Sequence, residues 1–253
     1  MMALGKRAPR HDARTLLLAR YMPEQIVTPP ACDWTQFVRV AWPLYQNDVI
    51  GDCAIAAVAF MILSMNAAAQ RMGGVAIAES EVLNTYRTVS GWDPEHPGTD
   101  LGCVELDVLK LWRNTGILGH KISAFAAVSP YQFEHVKAAI ALFGGAYVGL
   151  ALPLTAQAPG SWEVPTGGAV GQATPGSWGP HSVAILAYDV AGLTCVTWGA
   201  LRRMSWTFFA TYCDEAWAVL SSDFMTNDTA PNGFDVATLT NDLTLIASAP
   251  VSQ

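Results

Sequence analysis

No stretch of these 253 residues approaches the roughly 20 consecutive apolar residues that a bilayer-spanning helix needs. The longest apolar run, 54–65, reads as a core helix, and no membrane contact is expected. Charge is sparse at 14%, and the basic share is sparser still: 14 Lys and Arg stand against 21 Asp and Glu, for a net charge of −7. That balance argues against non-specific nucleic-acid binding by the whole chain. No CxxC pair occurs among the five cysteines Cys32, Cys53, Cys103, Cys195 and Cys213. An odd count without such pairs excludes the familiar zinc spacings and speaks against a disulfide framework. His96, His120 and His135 lie in no metal-like spacing either, so neither a metal nor a cofactor is expected. The first twenty residues carry Lys6, Arg7, Arg10, Arg14 and Arg20 but no apolar stretch followed by a small-residue cleavage site. No secretory signal is therefore expected, and this basic segment reads as a solvated arm lying on the body or as a contact for an acidic partner. Repeats and low-complexity tracts are absent. What remains is an apolar fraction of 51%, enough for one large domain or one domain with appendages.

The most informative feature is Cys53. The loop Tyr45-Gln46-Asn47-Asp48-Val49-Ile50-Gly51-Asp52 runs straight into an Ala-rich apolar segment, 53–70, which places the thiol on the first turn of a buried helix. Unpaired N–H groups and the positive end of the helix dipole favour thiolate there. Upstream amides, Asn47 or Gln46, are within reach of an oxyanion, while Asp48 and Asp52 read as caps for the helix and its loop. A matching base stands in Gly179-Pro180-His181-Ser182-Val183-Ala184-Ile185-Leu186-Ala187-Tyr188, where His181 opens an apolar strand.

Around these two points the chain reads as helices followed by strands. Residues 1–41 form a lead-in with a short helical stretch at 13–21. Helices are expected at 53–70, from a Ser80 N-cap to about 90, over 104–115, and from Ser129-Pro130 through Phe143. An apolar strand covers 146–152, and the Pro/Gly/Ser-rich segment 153–180 is a long loop leading to His181. Strands at 182–188 and 193–198 pair as a hairpin around 189–192, residues 206–212 form a helix or a strand, and 216–221 form a last strand. The tail holds a turn at 231–233 and a short helix at about 236–246. Glu105, Asp107, Asp214 and Glu215 read as solvated helix faces or caps.

This order resembles that of the papain-like cysteine peptidases. Residues 47–53 are similar to the family's loop from oxyanion amide to nucleophile, and 134–152 to its helix, Gly-containing turn and apolar strand. Residues 179–188 are similar to its histidine strand, and Cys195-Val196-Thr197-Trp198-Gly199 to the next strand, where an Asn or Asp orients the histidine just before Trp-Gly. The Asn-Asp-x-x-Gly-Asp-Cys element also resembles proteins of bacteria and bacteriophages and peptidases of the bacteriocin-processing type. The resemblance implies an α+β fold: an N-terminal helical part carrying the Cys helix, packed on a C-terminal antiparallel sheet carrying the His. It would occupy 42–224, between an N-terminal extension (1–41) and a tail (225–253).

Carried over, the resemblance makes Cys53 the nucleophile and His181 the base, with Asn47 at the oxyanion position and Gln46 one residue early. Trp198 takes the place of the shielding tryptophan on the substrate side. Thr197 stands where the family has Asn or Asp; its hydroxyl is expected to accept from Nδ1–H of His181 without supplying charge. Asp189 lies too far along the strand to serve. The implied activity is hydrolysis of peptide or isopeptide bonds, peptidoglycan-like cross-links included, through an acyl-enzyme. The departures at Thr197 and Asn47 keep a second expectation open, a papain-like fold used as a structural or binding protein with a protein partner in a phage particle. A third is acyl transfer of the transglutaminase type. A cytoplasmic or virion-associated location is expected.

Overall fold

The computed structural model describes residues 2–22, 27–69, 75–221 and 223–224. Helix α1 (Cys53–Ala68) is apolar on every side, and each residue from Cys53 to Asn66 is buried. A helix without a polar face must be enclosed. Helices α2 (Glu79–Ser90) and α3 (Glu105–Asn114) flank it on one side, and an antiparallel sheet lies on the other. The sheet is built from β1 (Cys32–Asp33), β2 (Ile122–Ala127), β3 (Ala146–Leu152), β4 (Gly179–Asp189), β5 (Gly192–Thr197), β6 (Ala200–Ser205) and β7 (Cys213–Ser221). The strand order is β2-β7-β3-β4-β5-β6, with β1 added to β4.

Because strand side chains alternate, the sheet feeds two cores. Tyr147, Ala184, Leu186, Val196 and Val219 join α1 and its neighbours on one face. Ala146, Val148, Val183, Ile185, Leu193 and Cys195 join α4 (Phe133–Phe143) and α5 (Trp206–Tyr212) on the other. Tyr147 ties sheet to helix directly, its hydroxyl donating to the Ala54 carbonyl at 3.1 Å. The molecule is α+β, with the cysteine helix packed on the antiparallel sheet that carries His181, as the resemblance implies.

The local differences from the sequence reading have identifiable causes. Ser129-Pro130 starts no helix: Gln132 N–H donates to the Ser129 carbonyl at 3.1 Å, so Pro130 sits second in a tight turn and α4 begins at Phe133. The N-cap of α2 is Ala78 instead of Ser80, and Glu81 accepts from the Ala78 N–H at 3.1 Å. The stretch at 13–21 is helical only as a 3-10 turn at Leu18–Arg20. Residues 206–212 are helical because Ser205 caps them, its Oγ accepting from the Phe208 N–H at 3.1 Å. Three strands do not stand out in the sequence: β1 has two residues, and β2 and β6 are mixed in pattern. The expected turn at 231–233 and helix at 236–246 lie outside the described residues.

The turn that matters most joins β5 to β6. Thr197 pairs with Ala200, so the loop has two residues, Trp198 (φ 47°) and Gly199 (φ 68°). Positive φ at both central positions is the type I′ geometry that matches strand twist. It sets a large aromatic beside the histidine strand.

Candidate active site

Cys53 is the first residue of α1, where the helix has no internal acceptor for its leading N–H groups. Residues from the β4 strand meet it. Ser182 donates its backbone N–H to Cys53 Sγ at 3.4 Å, and His181 is the preceding residue. The imidazole is fully buried. Its Nε2 lies 2.6 Å from Thr197 Oγ1, and its ring stacks on Trp198 with centroids 4.4 Å apart and planes 19° from parallel. Cys53, His181, Thr197 and Trp198 are thus brought to one place from positions up to 145 apart in sequence. One atom is exchanged relative to expectation: the Thr197 bond uses Nε2, not Nδ1. With Nε2–H donated to Thr197, Nδ1 carries the lone pair, and it has no hydrogen-bond partner among the described residues, Cys53 included.

The amides separate. Asn47 is buried and its Nδ2 donates to Asp52 Oδ1 at 2.9 Å, which leaves the second N–H of that amide. Gln46 turns away from the thiol, its Nε2 donating to Glu79 Oε1 on α2 at 2.7 Å. The reason is backbone strain: Tyr45 and Gln46 both take positive φ, 56° and 60°, which swings one amide out and the next in. Such non-glycine strain needs over-determined surroundings and concentrates at functional sites. Trp198 supplies a third instance on the opposite wall.

Asp52 occupies the N-cap position, but its side chain caps no helix N–H. Burial pushes its carboxyl up to about 8, against the Asn47 hydrogen bond that favours ionisation, and Oδ2 has no partner. A neutral acid explains the second oxygen. The folded chain then holds a proton that the unfolded chain releases above the ordinary Asp value near 3.9. Stability contributed by this group is full below that value and is lost as pH rises through about 8. Asp52→Asn keeps the acceptor for Asn47 and removes the titration. The predicted result is a flatter fall of melting temperature between pH 4 and 9 than in the parent; equal slopes would show that Asp52 is ionised in the fold.

The thiol is covered. Segment 2–7 crosses the site: Ala3 N–H donates to the Asp48 carbonyl at 2.9 Å, and the Trp198 Nε1–H donates to the Ala3 carbonyl at 3.3 Å. Further along, Cys103 N–H donates to the Gly5 carbonyl at 2.8 Å and Arg7 N–H to the Cys103 carbonyl at 2.7 Å. Gly5 is wedged between two backbones. A Cβ on it would fall 1.7 Å from the Gly51 carbonyl oxygen, and one on Gly102 would fall 1.8 Å from that of Gly5. Both walls hang on Asp100, which accepts from the Gly51 N–H at 3.0 Å and from the Tyr86 hydroxyl. The Gly5 N–H, together with that of Ser182, faces the sulfur.

Enclosure reverses the expected thiolate. Burial, with Asp52 and Glu105 adding negative charge, pushes the Cys53 thiol up to about 12, and burial pushes His181 down to about 3. Two N–H donors and the helix terminus are outweighed by lost hydration. Cys53 and His181 therefore rest as a neutral pair.

Two further readings are corrected by the same segment. Lys6 is not solvated: its side chain is 0% exposed, with Nζ 2.9 Å from both Asp214 Oδ2 and Glu215 Oε1. Glu105 and Glu215 are buried instead of lying on solvated faces. Glu105 Oε1 accepts from Ser182 Oγ at 2.7 Å and Oε2 from the Trp217 Nε1–H at 3.1 Å. Asp189 pairs with Arg203 at 2.9 Å, away from the histidine. Among the described residues no His, Cys, Asp and Glu side chains cluster as a metal site, and no helix is long and apolar enough to cross a membrane.

No protein-family model and no curated protein sequence matches the chain. Solved structures do. Xylellain, a cysteine protease from Xylella fastidiosa, superposes with a TM-score of 0.65 at 15% identity, over 87% of this chain and 96% of that one. Procathepsin B S9 from Trypanosoma congolense gives 0.57 at 9% identity, over 87% and 86%. The Carica candamarcensis cysteine protease CMS1MS2, solved with E-64, gives 0.51 at 14%, over 76% and 98%. The fold is that of the papain-like cysteine proteases.

Proposed function

We propose that this papain-like fold is a thiol hydrolase that cleaves peptide or isopeptide bonds once segment 2–7 has left the site. The observation that carries the reading is the placement of His181. Its Nε2 is held on Thr197 while Nδ1 is left unpartnered one residue from the Ser182–Cys53 contact.

Nδ1 takes the thiol proton, and the sulfur then attacks the carbonyl carbon. The oxyanion is met by the Cys53 N–H at the helix start and by the second amide hydrogen of Asn47. The imidazolium passes its proton to the leaving amine as the C–N bond breaks, leaving a thioester. Water, losing a proton to His181, cleaves the thioester and restores the thiol. Segment 2–7 is not itself substrate in this arrangement. It turns an N–H to the sulfur, and its Gly5 carbonyl is engaged by Cys103.

The test is hydrolysis of a peptide mixture, with peptidoglycan fragments as a second substrate class, by protein whose arm has been displaced. Products that vanish on Cys53→Ala are expected; equal cleavage by Cys53→Ala overturns the assignment. A second reading is favoured by one observation, the neutral Cys53–His181 pair under its cover. On that reading the fold binds a peptide or protein partner, in a phage particle for instance, without turnover.

A further inference from the structure

The arm does more than cover the thiol, because it delivers a cation into a recess beside it. On the α1 face of the sheet, one rung runs Glu215, Gly149, Ser182 across β7, β3 and β4. The glycine leaves a gap in that rung, and the stem of Lys6 fills it: a Cβ on Gly149 would fall 2.0 Å from Lys6 Cε. At the end of the stem the ammonium donates to Asp214 Oδ2 at 2.9 Å and to the Arg7 carbonyl at 3.3 Å, and it lies 2.9 Å from Glu215 Oε1 as an ion pair. A compact point charge between two carboxylates at the end of an unbranched stem suits an ammonium better than a planar guanidinium. Behind the recess Glu105 shares Ser182 with Cys53: the Ser182 Oγ donates to Glu105 and its N–H to the sulfur. The recess is therefore one residue from the nucleophile.

Asp214 and Glu215 meet the ammonium directly and Glu105 lies behind them. Glu105 and Glu215 are buried, and burial pushes both toward the neutral form while the Lys6 charge works against that. A buried charge stripped of its partner is strongly destabilising. When segment 2–7 withdraws, the glutamates lose the ammonium that favours their charged form, and another ammonium seated in the gap restores it.

We propose that the Glu105–Asp214–Glu215 recess is the side-chain subsite that selects lysine in the substrate, with Lys6 as its resident stand-in. The inference rests on the hydrolase reading for the word substrate; as a lysine-selective ligand site it stands without it. The main chain of the incoming peptide replaces the Arg7 carbonyl, and Gly149 sets the depth at which an unbranched four-carbon stem fits.

The experiment uses the full chain carrying Gly5→Ala and Cys53→Ala, so that the arm cannot seat and nothing is cleaved. The probes are a hexapeptide of sequence Ala-Leu-Gly-Lys-Arg-Ala, matching residues 3–8, and its norleucine analogue at the lysine, titrated by calorimetry. A preference for lysine of about thirtyfold or more is expected, in line with a buried hydrogen-bonded charge pair. Glu215→Gln should cut it below about threefold, and Gly149→Ala should weaken the lysine peptide while keeping every carboxylate. Equal binding of the two peptides, or binding of neither, overturns the inference. Cleavage profiling with the Cys53 protein separates the two proposals. Cleavage enriched at a fixed distance from lysine supports both, and cleavage indifferent to lysine overturns the subsite alone. Lysine-selective binding without cleavage of any peptide overturns the hydrolase and leaves a lysine-binding site.

Discussion

Gly5→Ala is expected to raise the rate of Cys53 alkylation by iodoacetamide at neutral pH on the order of a thousandfold. The new methyl would fall 1.7 Å from the Gly51 carbonyl oxygen and 2.1 Å from its carbon, and both are backbone held by Asp100, so no side chain can swing aside. The arm must leave, and with it goes an N–H facing the sulfur and most of the cover over a thiol now 1% exposed. Rehydration takes the thiol from about 12 back toward the ordinary 8.5 or below, and the thiolate is the reactive species. That change alone multiplies the thiolate fraction by roughly a thousand.

Near-ultraviolet circular dichroism should change only by the share of Trp198, whose indole loses the Ala3 carbonyl, since the two cores contain nothing from residues 5–7 and Leu4 only packs against one of them. Adding His181→Ala to Gly5→Ala should slow labelling below pH 8 again, because the imidazolium that stabilises the thiolate is gone. Labelling of Gly5→Ala no faster than the parent would mean that segment 2–7 does not control the thiol.

How much of this could be read from the sequence depends on the range over which each signal acts. Cys53 at a helix start and the 146–152 strand announce themselves through local punctuation and periodicity, as does the hairpin following His181, and the structure contains them. Gln46 and Asn47 are a harder case. Both are amides in one loop, and only the positive φ values at 45 and 46 decide which faces inward. A one-residue twist of backbone leaves no trace in residue type.

The acidic recess was beyond reach for a different reason. Glu105 leads a helix whose first turn also carries Asp107, a pattern that usually means solvent and dipole. What buries it is Trp217 and Ser182, 112 and 77 residues away. Lys6 meets Asp214 across 208 residues. The available hint was Asp214-Glu215 interrupting an otherwise apolar strand between Cys213 and Ala216, since charge inside a central strand requires a partner.

In arm-displaced protein, His181→Ala is expected to lower kcat for peptide hydrolysis by roughly 10² to 10⁴, the range for loss of a positioned acid–base group. Thr197→Val should lower it by a smaller factor, about tenfold to a hundredfold, with KM little changed. The Thr197 hydroxyl touches no substrate in the mechanism proposed; it acts by holding Nε2 at 2.6 Å, which leaves Nδ1 without another hydrogen bond among the described residues. Valine keeps the shape and leaves a buried ring N–H without its acceptor, at a cost of about 1–3 kcal/mol. The ring then recovers part of that cost by turning, and the stack on Trp198 is what limits the turn. Thr197→Asn offers an amide oxygen in the same place and should restore most of the rate. Kinetics of the three variants in the Gly5→Ala background decide the matter. A Thr197→Val enzyme as fast as its parent, beside an inactive His181→Ala, would mean that Trp198 alone orients the imidazole. If His181→Ala retained full kcat, the proton would have to be carried by another group. Of the acids that bear on the thiol, Asp52 and Glu105 are both pushed toward the neutral form by burial.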